Sequence, residues 1–267
     1  MANSENRAVP AADPPSILTK VFDLLHAFNT NNRVMTLSEL ARASGLPKST
    51  VHRLIARLID LGAVEPHRSG YVVSVEMLSL ATNTPAGGMR DAALPFMAAL
   101  HRWSGHSVQL AVLRQFDVVL LETITAPDSP GPPGTLGSRI PANCTALGKV
   151  LLSREHLDDL EAFLPRPMPM RTRFSVTEVD PLVIELRKAR TSGIAYDREE
   201  SQLNLASAAV PIVIRDYAVG ALAVSHPADV EITAKVEQAL RETAAQIARV
   251  CRDDLQRGKA HYFPHEF

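Results

Sequence analysis

Thr36–Gly62, with the sequence TLSELARASGLPKSTVHRLIARLIDLG, decides the fold of the first part of the chain. Thr36 followed by Glu39 has the spacing of a capping box, in which each side chain satisfies the backbone amide of the other residue at a helix start. Gly45 permits a tight turn, and Pro47 suits the first turn of a second helix that Gly62 stops. The pattern predicts two short helices joined through a glycine turn, which is the helix-turn-helix arrangement.

The second of these helices, Lys48 to Leu61, has two chemically different faces. Apolar residues at i, i+3, i+4 and i+7 form the face that we expect to be buried: Val51, Leu54, Ile55 and Leu58. The opposite face is polar and basic. Arginine can bind guanine through two hydrogen bonds, while serine, threonine and lysine suit phosphates or base edges. The candidate DNA-binding residues here are Lys48, Ser49, Thr50, His52, Arg53 and Arg57.

Two arginines four residues apart are also common on a helix face that is merely solvated, so the flanking sequence matters. After the helix, residues 63–65 and 71–73 read as short strands on either side of 66–70. That is a β-hairpin, or wing, with a basic residue, Arg68, at its tip. The capping box, turn glycine, Pro47 and hairpin together predict a winged helix-turn-helix that binds double-stranded DNA, with Arg68 as a further contact.

The distribution of charge agrees with this prediction. The whole chain has 28 basic and 29 acidic residues, a net charge of −1, which excludes a histone-like polycation. Residues 16–74, however, contain seven basic and four acidic residues and so carry +3, whereas residues 1–15 carry −1 and residues 75–267 carry −3. Basic charge is therefore concentrated where contacts with phosphates are needed.

Breaks in composition divide the chain of 267 residues into segments. Prolines and small residues at the start predict a flexible arm, and the cluster of turn-forming residues at 82–88 predicts a linker. The expected segments are an arm at 1–15, a winged helix-turn-helix at 16–80, a linker at 81–92, a second domain at 93–256 and a tail at 257–267.

The second domain alternates between hairpin and helix signals. Residues 108–114 and 118–125 read as one pair of strands, and 206–214 and 218–225 as another. Helices are expected at 145–153, at 155–163, from a capping box at Thr177 to Gly193, and at 232–256. Because hairpins replace strict alternation of strand and helix, we expect an α+β fold.

Several runs resemble the IclR (isocitrate lyase regulator) family of bacterial transcription regulators. They are Leu37–Ala41, Gly45–Leu54 and Leu61-Gly62 in the first domain, and Arg139–Pro141, Gly148-Lys149, Gly193–Glu200 and Ala221–Ser225 with Pro227 in the second. The resemblance implies a GAF-like effector-binding domain built on an antiparallel sheet. It also implies assembly as dimers or tetramers, and therefore binding to a near-palindromic operator.

The same resemblance implies the positions of an effector pocket. Carried over to this sequence, they are Ala146, Leu147, Asp197, Ser207, Ala223 and Ser225. In family members that bind carboxylates, small residues at the first two positions offer backbone amides at a helix start. Here Leu147 is larger than the usual alanine, and Ser207 and Ala223 stand where some members have cysteine and serine. These departures favour a larger organic or aromatic acid over a ligand of the glyoxylate or pyruvate type.

Two other functions stay open at this level. The second domain could be an enzyme for a small carboxylate, with Cys144 as a nucleophile beside His226 and Asp197, although no hydrolase signature surrounds Cys144. Alternatively, the second domain serves only to form oligomers. Gly148-Lys149 lacks the rest of a phosphate-binding loop, and the nine histidines show no metal-ligand spacing. We therefore expect a non-enzymatic regulator with no cofactor and no metal.

The chain gives no sign of export or of membrane attachment. Its start lacks the apolar segment of a signal peptide, and its apolar runs are shorter than the roughly 18 residues of a spanning helix. Its two cysteines, Cys144 and Cys251, form no disulfide framework. The sequence predicts a cytoplasmic protein whose partners are operator DNA, a small organic acid and other copies of itself.

Overall fold

The computed structural model describes residues 16–28, 33–127, 129–156, 160 and 164–257. The chain divides into two compact units, Met1–Ala81 and Thr82–Phe267. The predicted arm at 1–15 and all of the predicted tail except Arg257 lie outside the described residues. So does most of the helix expected at 155–163. In the described parts, no helix is both long enough and apolar enough to cross a membrane.

The N-terminal unit contains short helices and one hairpin. Its elements are α1 (Ile17–Ala27), α2 (Leu37–Ser44), α3 (Lys48–Asp60), β1 (Val64–His67), β2 (Gly70–Val73) and α4 (Glu76–Thr82). The predicted inner face of α3 is buried and packs with Leu24 of α1 and Leu40 of α2 into one apolar core. This core holds α3 firmly and leaves its polar side in solvent.

The turn between α2 and α3 forms as the sequence predicts. The Thr36 amide donates to Glu39 Oε2 at 2.8 Å, and the Glu39 amide donates to Thr36 Oγ1 at 3.3 Å, which completes the capping box. These bonds lower the pKa of Glu39 below its ordinary value. Gly45 ends α2 with a φ of 68°, in the left-handed region that glycine tolerates best.

The wing is joined to the segment before α2. Tyr71 in β2 and Met35 exchange two backbone hydrogen bonds, of 2.8 and 3.0 Å. Gly70 lies so close to the Met35 backbone that a side chain would not fit there. The hairpin therefore has a third strand-like partner on its inner edge, which fixes its position relative to α2 and α3.

The C-terminal unit is an antiparallel sheet covered by helices on both faces. Its elements are α5 (Pro85–Ser104), β3 (Ser107–Arg114), β4 (Asp117–Ile124), β5 (Arg139–Pro141), α6 (Ala146–Leu152), α7 (Val179–Ser192), β6 (Ala195–Arg198), β7 (Leu205–Ile214), β8 (Tyr217–Pro227) and α8 (Ala234–Gln256). The strand order is β5-β4-β3-β8-β7-β6, and every neighbouring pair is antiparallel. The predicted α+β class, with an antiparallel sheet in the second domain, is confirmed.

The two faces of the sheet are packed differently. Large apolar side chains such as Val210, Ile212 and Leu222 point towards α5 and α8 and form one core. Alternate residues on the same strands point to the other face, where α6 lies, and most of them are small: Ser207, Ala209, Ala221, Ala223 and Ser225. Small side chains on this face leave space between the sheet and α6.

Two details of the sequence interpretation differ from the structure. The N-cap of α7 is Glu178 and its side chain makes no capping bond, so the expected capping box at Thr177 does not form. Gly193 does end this helix, with a φ of 70°. Most of the expected linker at 81–92 is helical, because Thr84 Oγ1 accepts a hydrogen bond from the Gly87 amide at 3.0 Å and Pro85 occupies the first turn of α5.

Candidate functional site

The outer face of α3 is the candidate nucleic-acid interface. Lys48, Ser49, His52, Arg53 and Arg57 are exposed, and Thr50 is half-buried. One side of the helix carries residues at intervals of four, namely Ser49, Arg53 and Arg57, with His52 next to Arg53. Arg57 lies 3.5 Å from Asp60, but both side chains are largely exposed, so the pair leaves most of the arginine charge accessible to a phosphate.

The wing tip presents the remaining predicted contact. Arg68 is exposed in the turn between β1 and β2. His67 Nδ1 and Ser69 Oγ lie 3.1 Å apart across this turn and help to order it. The structure thus places all seven predicted DNA-binding residues on the surface of one compact unit.

A small cavity of about 10 Å³, enough for about one water molecule, lies between α6 and the small-residue face of the sheet. It is lined by Gln109, Pro133, Ile140, Thr145, Ala146, Leu147, Asp197, Ser201, Ser207 and Ala223. Five of the six predicted effector-binding residues are therefore brought together around one space. The sixth, Ser225, is fully buried behind it, with its hydroxyl 2.8 Å from that of Ser207.

The first residues of α6 form one wall of this cavity. Thr145 is the N-cap, and its Oγ1 accepts a hydrogen bond from the Gly148 amide at 2.9 Å. Gly148 is required here, because a Cβ at this position would collide with the backbone of Ala142. The close approach sets the position of Ala146 and Leu147 over the sheet.

Asp197 on β6 is the ionisable residue that lines the cavity. Its Oδ1 accepts hydrogen bonds from the backbone amides of Glu200 and Ser201, at 2.7 and 3.3 Å. The carboxyl is 2% exposed, and this burial raises its pKa above the ordinary value although Ser201, Glu200 and Lys149 act in the opposite direction. The bonds to Oδ1 hold the side chain in place against the cavity wall.

Behind this wall, Lys149 on α6 is fully buried and neutralised by carboxylates. Its Nζ lies 2.7 and 2.8 Å from the two oxygens of Glu200 and 2.7 Å from Glu185 Oε2. Burial nevertheless raises the pKa of Glu200 to about 6, with Lys149 acting to lower it. The ammonium group faces a second, separate groove and does not line the cavity that contains Asp197.

Sequence reasoning missed several residues of the cavity. Gln109 on β3 is 4% exposed, and its Nε2 lies 3.5 Å from both the Pro133 carbonyl oxygen and Thr123 Oγ1. A polar residue at an inward position of an apolar strand was the available signal for Gln109. Pro133 and Ile140 precede α6 and Ser201 follows β6, and no sequence pattern links these three residues to one another.

Cys144, the candidate nucleophile of the enzyme alternative, lies in surroundings that disfavour its thiolate form. Its thiol is buried and donates to the Pro169 carbonyl oxygen at 3.4 Å, and burial raises its pKa, which disfavours the nucleophilic thiolate. His226 lies beside His106, with 5.6 Å between the ring centroids. Among the described residues, no group of three or more histidine, cysteine, aspartate or glutamate side chains is placed to hold a metal ion.

Two protein-family models match this chain. The IclR helix-turn-helix domain matches residues 17–68, and the C-terminal domain of the bacterial transcriptional regulator IclR matches residues 84–249. The chain belongs to the IclR family. The matches cover both units, so this IclR-family protein is a transcriptional regulator with a DNA-binding helix-turn-helix.

Individual relatives agree with the family assignment. The glycerol operon regulatory protein of Streptomyces coelicolor is 33% identical over 229 residues, which cover 84% of this chain and 87% of the relative. An IclR homologue from Microbacterium hydrocarbonoxydans, solved in complex with 4-hydroxybenzoate, is 26% identical, with a TM-score of 0.82 over 89% of this chain and 100% of that one. A transcriptional regulator from Rhodococcus is also 26% identical, with a TM-score of 0.74 over 91% and 98% of the two chains.

Proposed function

We propose that this IclR-family protein is an effector-controlled regulator that inserts α3 into the major groove of an operator. The observation that carries the proposal is the outer face of α3, where exposed basic and hydroxyl side chains stand on a helix held by an apolar core. Lys48, Ser49 and Thr50 lie at the helix N-terminus, the part of a recognition helix that contacts bases and phosphates. As a bacterial regulator that binds operator DNA, the protein acts in the cytoplasm.

In this proposal, Arg53 and Arg68 have different tasks. Arg53 projects from the middle of α3 and reads a base edge, together with His52 and Arg57 on the same side. Arg68 at the wing tip neutralises a phosphate and carries no base preference. The two arginines therefore separate sequence reading from general attraction to DNA.

The test begins with duplexes selected from random DNA by the full-length protein. We expect Arg53→Ala to weaken binding to the selected duplex by about 1–3 kcal/mol and to relax preference at one base pair. We expect Arg68→Ala to weaken selected and unselected duplexes alike and to lower the salt dependence by about one phosphate contact. Fluorescence anisotropy at several salt concentrations measures both effects.

Arg102→Ala is the matched control, because Arg102 is an exposed arginine on α5 of the other unit. It removes the same charge from the chain and is expected to leave affinity for the selected duplex within about 0.5 kcal/mol of the wild-type value. Equal affinity for the selected duplex in wild type, Arg53→Ala and Arg68→Ala would exclude this DNA-binding surface.

We infer that the cavity under α6 binds the effector, a small organic acid and in particular an aromatic one. Ala146, Leu147, Asp197, Ser207 and Ala223 surround the cavity, and buried Ser225 supports Ser207 from behind. The binding of 4-hydroxybenzoate by the Microbacterium homologue supports this class of ligand. Apolar contacts from Leu147 and Ala223 suit an aromatic ring, while Gln109 and the serines suit its polar substituents.

A thermal-shift screen of aliphatic and aromatic acids tests the cavity. A ligand specific for the folded state stabilises it by about 2.7 kcal/mol at 100 times its Kd. We expect aromatic acids to raise the melting temperature of the wild type. The substitution Ala146→Trp fills the cavity, so we expect it to abolish this increase. An undiminished increase in Ala146→Trp would place the ligand elsewhere.

We propose further that the protein binds its operator as a dimer or tetramer. Two copies of α3 would then enter major grooves about one or two helical turns apart on a near-palindromic site. Selected duplexes should accordingly contain two inverted half-sites. A selected motif with a single half-site, bound by one chain, would contradict this assembly.

A further inference from the structure

Most of the polar side chains that line the cavity under α6 already have hydrogen-bond partners within the protein. Thr145 Oγ1 caps the start of α6, and the hydroxyl of Ser207 bonds to that of Ser225. Asp197 accepts hydrogen bonds from two backbone amides and from the side chain of Ser201. These groups are satisfied before any ligand enters.

Gln109 on β3 is different. Its Nε2 lies 3.5 Å from both the Pro133 carbonyl oxygen and Thr123 Oγ1, well beyond the distance of about 2.9–3.0 Å in a good N–H···O bond. Among the described residues, none donates a hydrogen bond to its Oε1. Gln109 is only 4% exposed, and a buried polar atom without a partner costs free energy. The cavity thus contains one buried amide whose acceptor is unused.

The Pro133 carbonyl determines which end of this amide is unused. A carbonyl oxygen can only accept, so the atom of Gln109 that faces it has to be the nitrogen. Rotation of the amide by half a turn would place two acceptor oxygens against each other. Oε1 is not among the described side-chain atoms that packing seals in without a partner, and Gln109 lines the cavity. The unused acceptor therefore faces the space under α6.

Gln109 also lies away from the acidic side of the cavity. It pairs with Ala223 on β8, whereas Asp197 pairs with Ser207 on β7. Strands β8 and β7 lie between β3 and β6, so the backbones of Gln109 and Asp197 are three strand spacings, roughly 14 Å, apart. The amide and the carboxyl group thus stand on opposite sides of a floor made of small residues.

An acceptor that faces the ligand calls for a donor on the ligand. A carboxylate has no proton to donate, and the position that the family resemblance implies for it, at the backbone amides that begin α6, does not involve this acceptor. A hydroxyl group both donates and accepts. It matches the Gln109 amide in both directions, since Oε1 can accept its proton while Nε2 donates to its oxygen.

Resting on the proposed acid-binding function of this cavity, we propose that Gln109 makes the regulator selective for aromatic acids that carry a hydroxyl group on the ring. The cavity has room for about one water molecule, so a ring enters only as the segment that carries Pro133 shifts outward. This shift breaks a long and therefore weak contact and frees Nε2. The ligand hydroxyl then replaces the Pro133 carbonyl as the partner of Nε2 and satisfies Oε1 as well.

Calorimetric titration of the full-length protein with 4-hydroxybenzoate and 4-methylbenzoate tests the proposal. A methyl group is close in size to a hydroxyl group but forms no hydrogen bond, so it would leave the Gln109 amide buried and unpaired. We expect the wild type to bind 4-hydroxybenzoate about tenfold more tightly than 4-methylbenzoate. Gln109→Met has a side chain of similar length without the amide, and we expect the preference to disappear or to reverse.

Two further variants complete the experiment. Gln109→Asn keeps an amide on β3 but withdraws it from the ligand by one methylene group, so its preference for the hydroxyl should also fall. Gln238→Met is the matched control, because Gln238 is exposed on α8 and does not line the cavity. It is expected to keep the wild-type ratio of the two Kd values. Melting curves without ligand show whether each variant is folded.

The outcomes separate this proposal from the one on which it rests. Equal Kd values of the wild type for the two acids overturn recognition of the hydroxyl group and leave acid binding intact. A wild-type preference that persists in Gln109→Met and Gln109→Asn assigns recognition to another residue and overturns the role of Gln109. Failure of both acids to bind the wild type removes the aromatic-acid effector itself, and the selectivity with it.

Discussion

Lys149 shows how one residue can matter to a site without touching the ligand. Its side chain is 1% exposed, and its ammonium group bridges Glu185 on α7 to Glu200, which lies in the turn after β6 and donates its backbone amide to Asp197. A buried ion pair contributes little net stability, but loss of one partner leaves the other charge buried and unpaired. The role of Lys149 is therefore to hold α6, α7 and the turn after β6 together.

Replacement of Lys149 by methionine should destabilise the fold in a pH-dependent way. Lys149 lowers the pKa of Glu200, which is about 6 even with the ammonium group present, so its removal raises that pKa further. The folded variant then holds a proton that the unfolded chain, with a glutamate pKa of 4.5, has released, and stability falls as pH rises through this interval. We expect a loss of about 3 kcal/mol at about pH 7.5 and a smaller loss at about pH 5 in urea unfolding.

Lys188→Met is the matched control for this experiment. Lys188 is exposed on α7 and lines the same groove as Lys149. We expect its unfolding free energy to stay within about 0.5 kcal/mol of the wild-type value at both pH values. A Lys149→Met variant with the same stability at both pH values would disprove the proposed dependence on Glu200.

At the residue scale, the sequence predicted which side chains are buried or exposed better than it predicted contacts between side chains on different elements. The buried face of α3 follows from apolar spacing alone, and its exposed side therefore follows too. The Lys149 cluster could not be predicted in this way, because its three residues lie on different elements and 36 and 51 positions apart. Gln109 likewise reaches the cavity through the pairing of β3 with β8, which are more than one hundred positions apart in the chain.

Helix α6 is the element on which the cavity most depends. It has seven residues, all buried, and it contacts β7, β8, β3 and α7. Gly148 allows it to approach the Ala142 backbone so closely that no side chain fits between them. The position of α6 therefore sets the height of the cavity above the sheet.

Gly148→Ala tests this dependence. The added methyl group must push α6 away from Ala142, and overpacking of this kind costs about 1–3 kcal/mol. We expect that loss in urea unfolding, together with weaker binding of the aromatic acids found in the thermal-shift screen. Gly131→Ala is the control, since a Cβ there meets only Thr125 Cγ2, at 3.7 Å, and should leave both quantities nearly unchanged.

If Gly148→Ala has wild-type stability, the close approach of α6 to Ala142 is not a constraint in solution. If it loses stability yet binds acids as tightly as the wild type, α6 does not set the shape of the ligand site. The two measurements thus distinguish the structural role of the glycine from its effect on the cavity.

At the scale of elements, local sequence signals predicted most of the helices and hairpins. The order of the strands in the sheet depends on contacts between distant parts of the chain. The hairpins β3–β4 and β7–β8 were predicted because alternation and turn residues lie within one short stretch. The pairing of β3 with β8 joins residues more than one hundred positions apart, and nothing local specifies it. Similarly, residues 82–88 contain turn-forming glycines and a proline, yet Thr84 and Pro85 start a helix of 20 residues there.

For the whole molecule, the near-zero net charge of −1 is the sum of two parts with opposite charge. The unit that contains the helix-turn-helix is basic, while the part that contains the sheet is acidic. The acidic part also carries a cavity lined by a carboxyl group. A regulator of the proposed kind links the two parts by a coupling free energy, typically about 1–3 kcal/mol, between acid binding and DNA binding.

The central claim, that acid binding in the cavity controls DNA binding, is tested most directly by the affinity for the selected duplex. Fluorescence anisotropy measures this affinity with and without saturating aromatic acid, for the wild type and for Ala146→Trp. We expect the acid to change the Kd of the wild type for DNA by about 5- to 150-fold. We expect the ratio of the two Kd values to be near one in Ala146→Trp, because tryptophan fills the cavity. An unchanged Kd in the wild type, or the same change in both proteins, would contradict control of DNA binding through the cavity under α6.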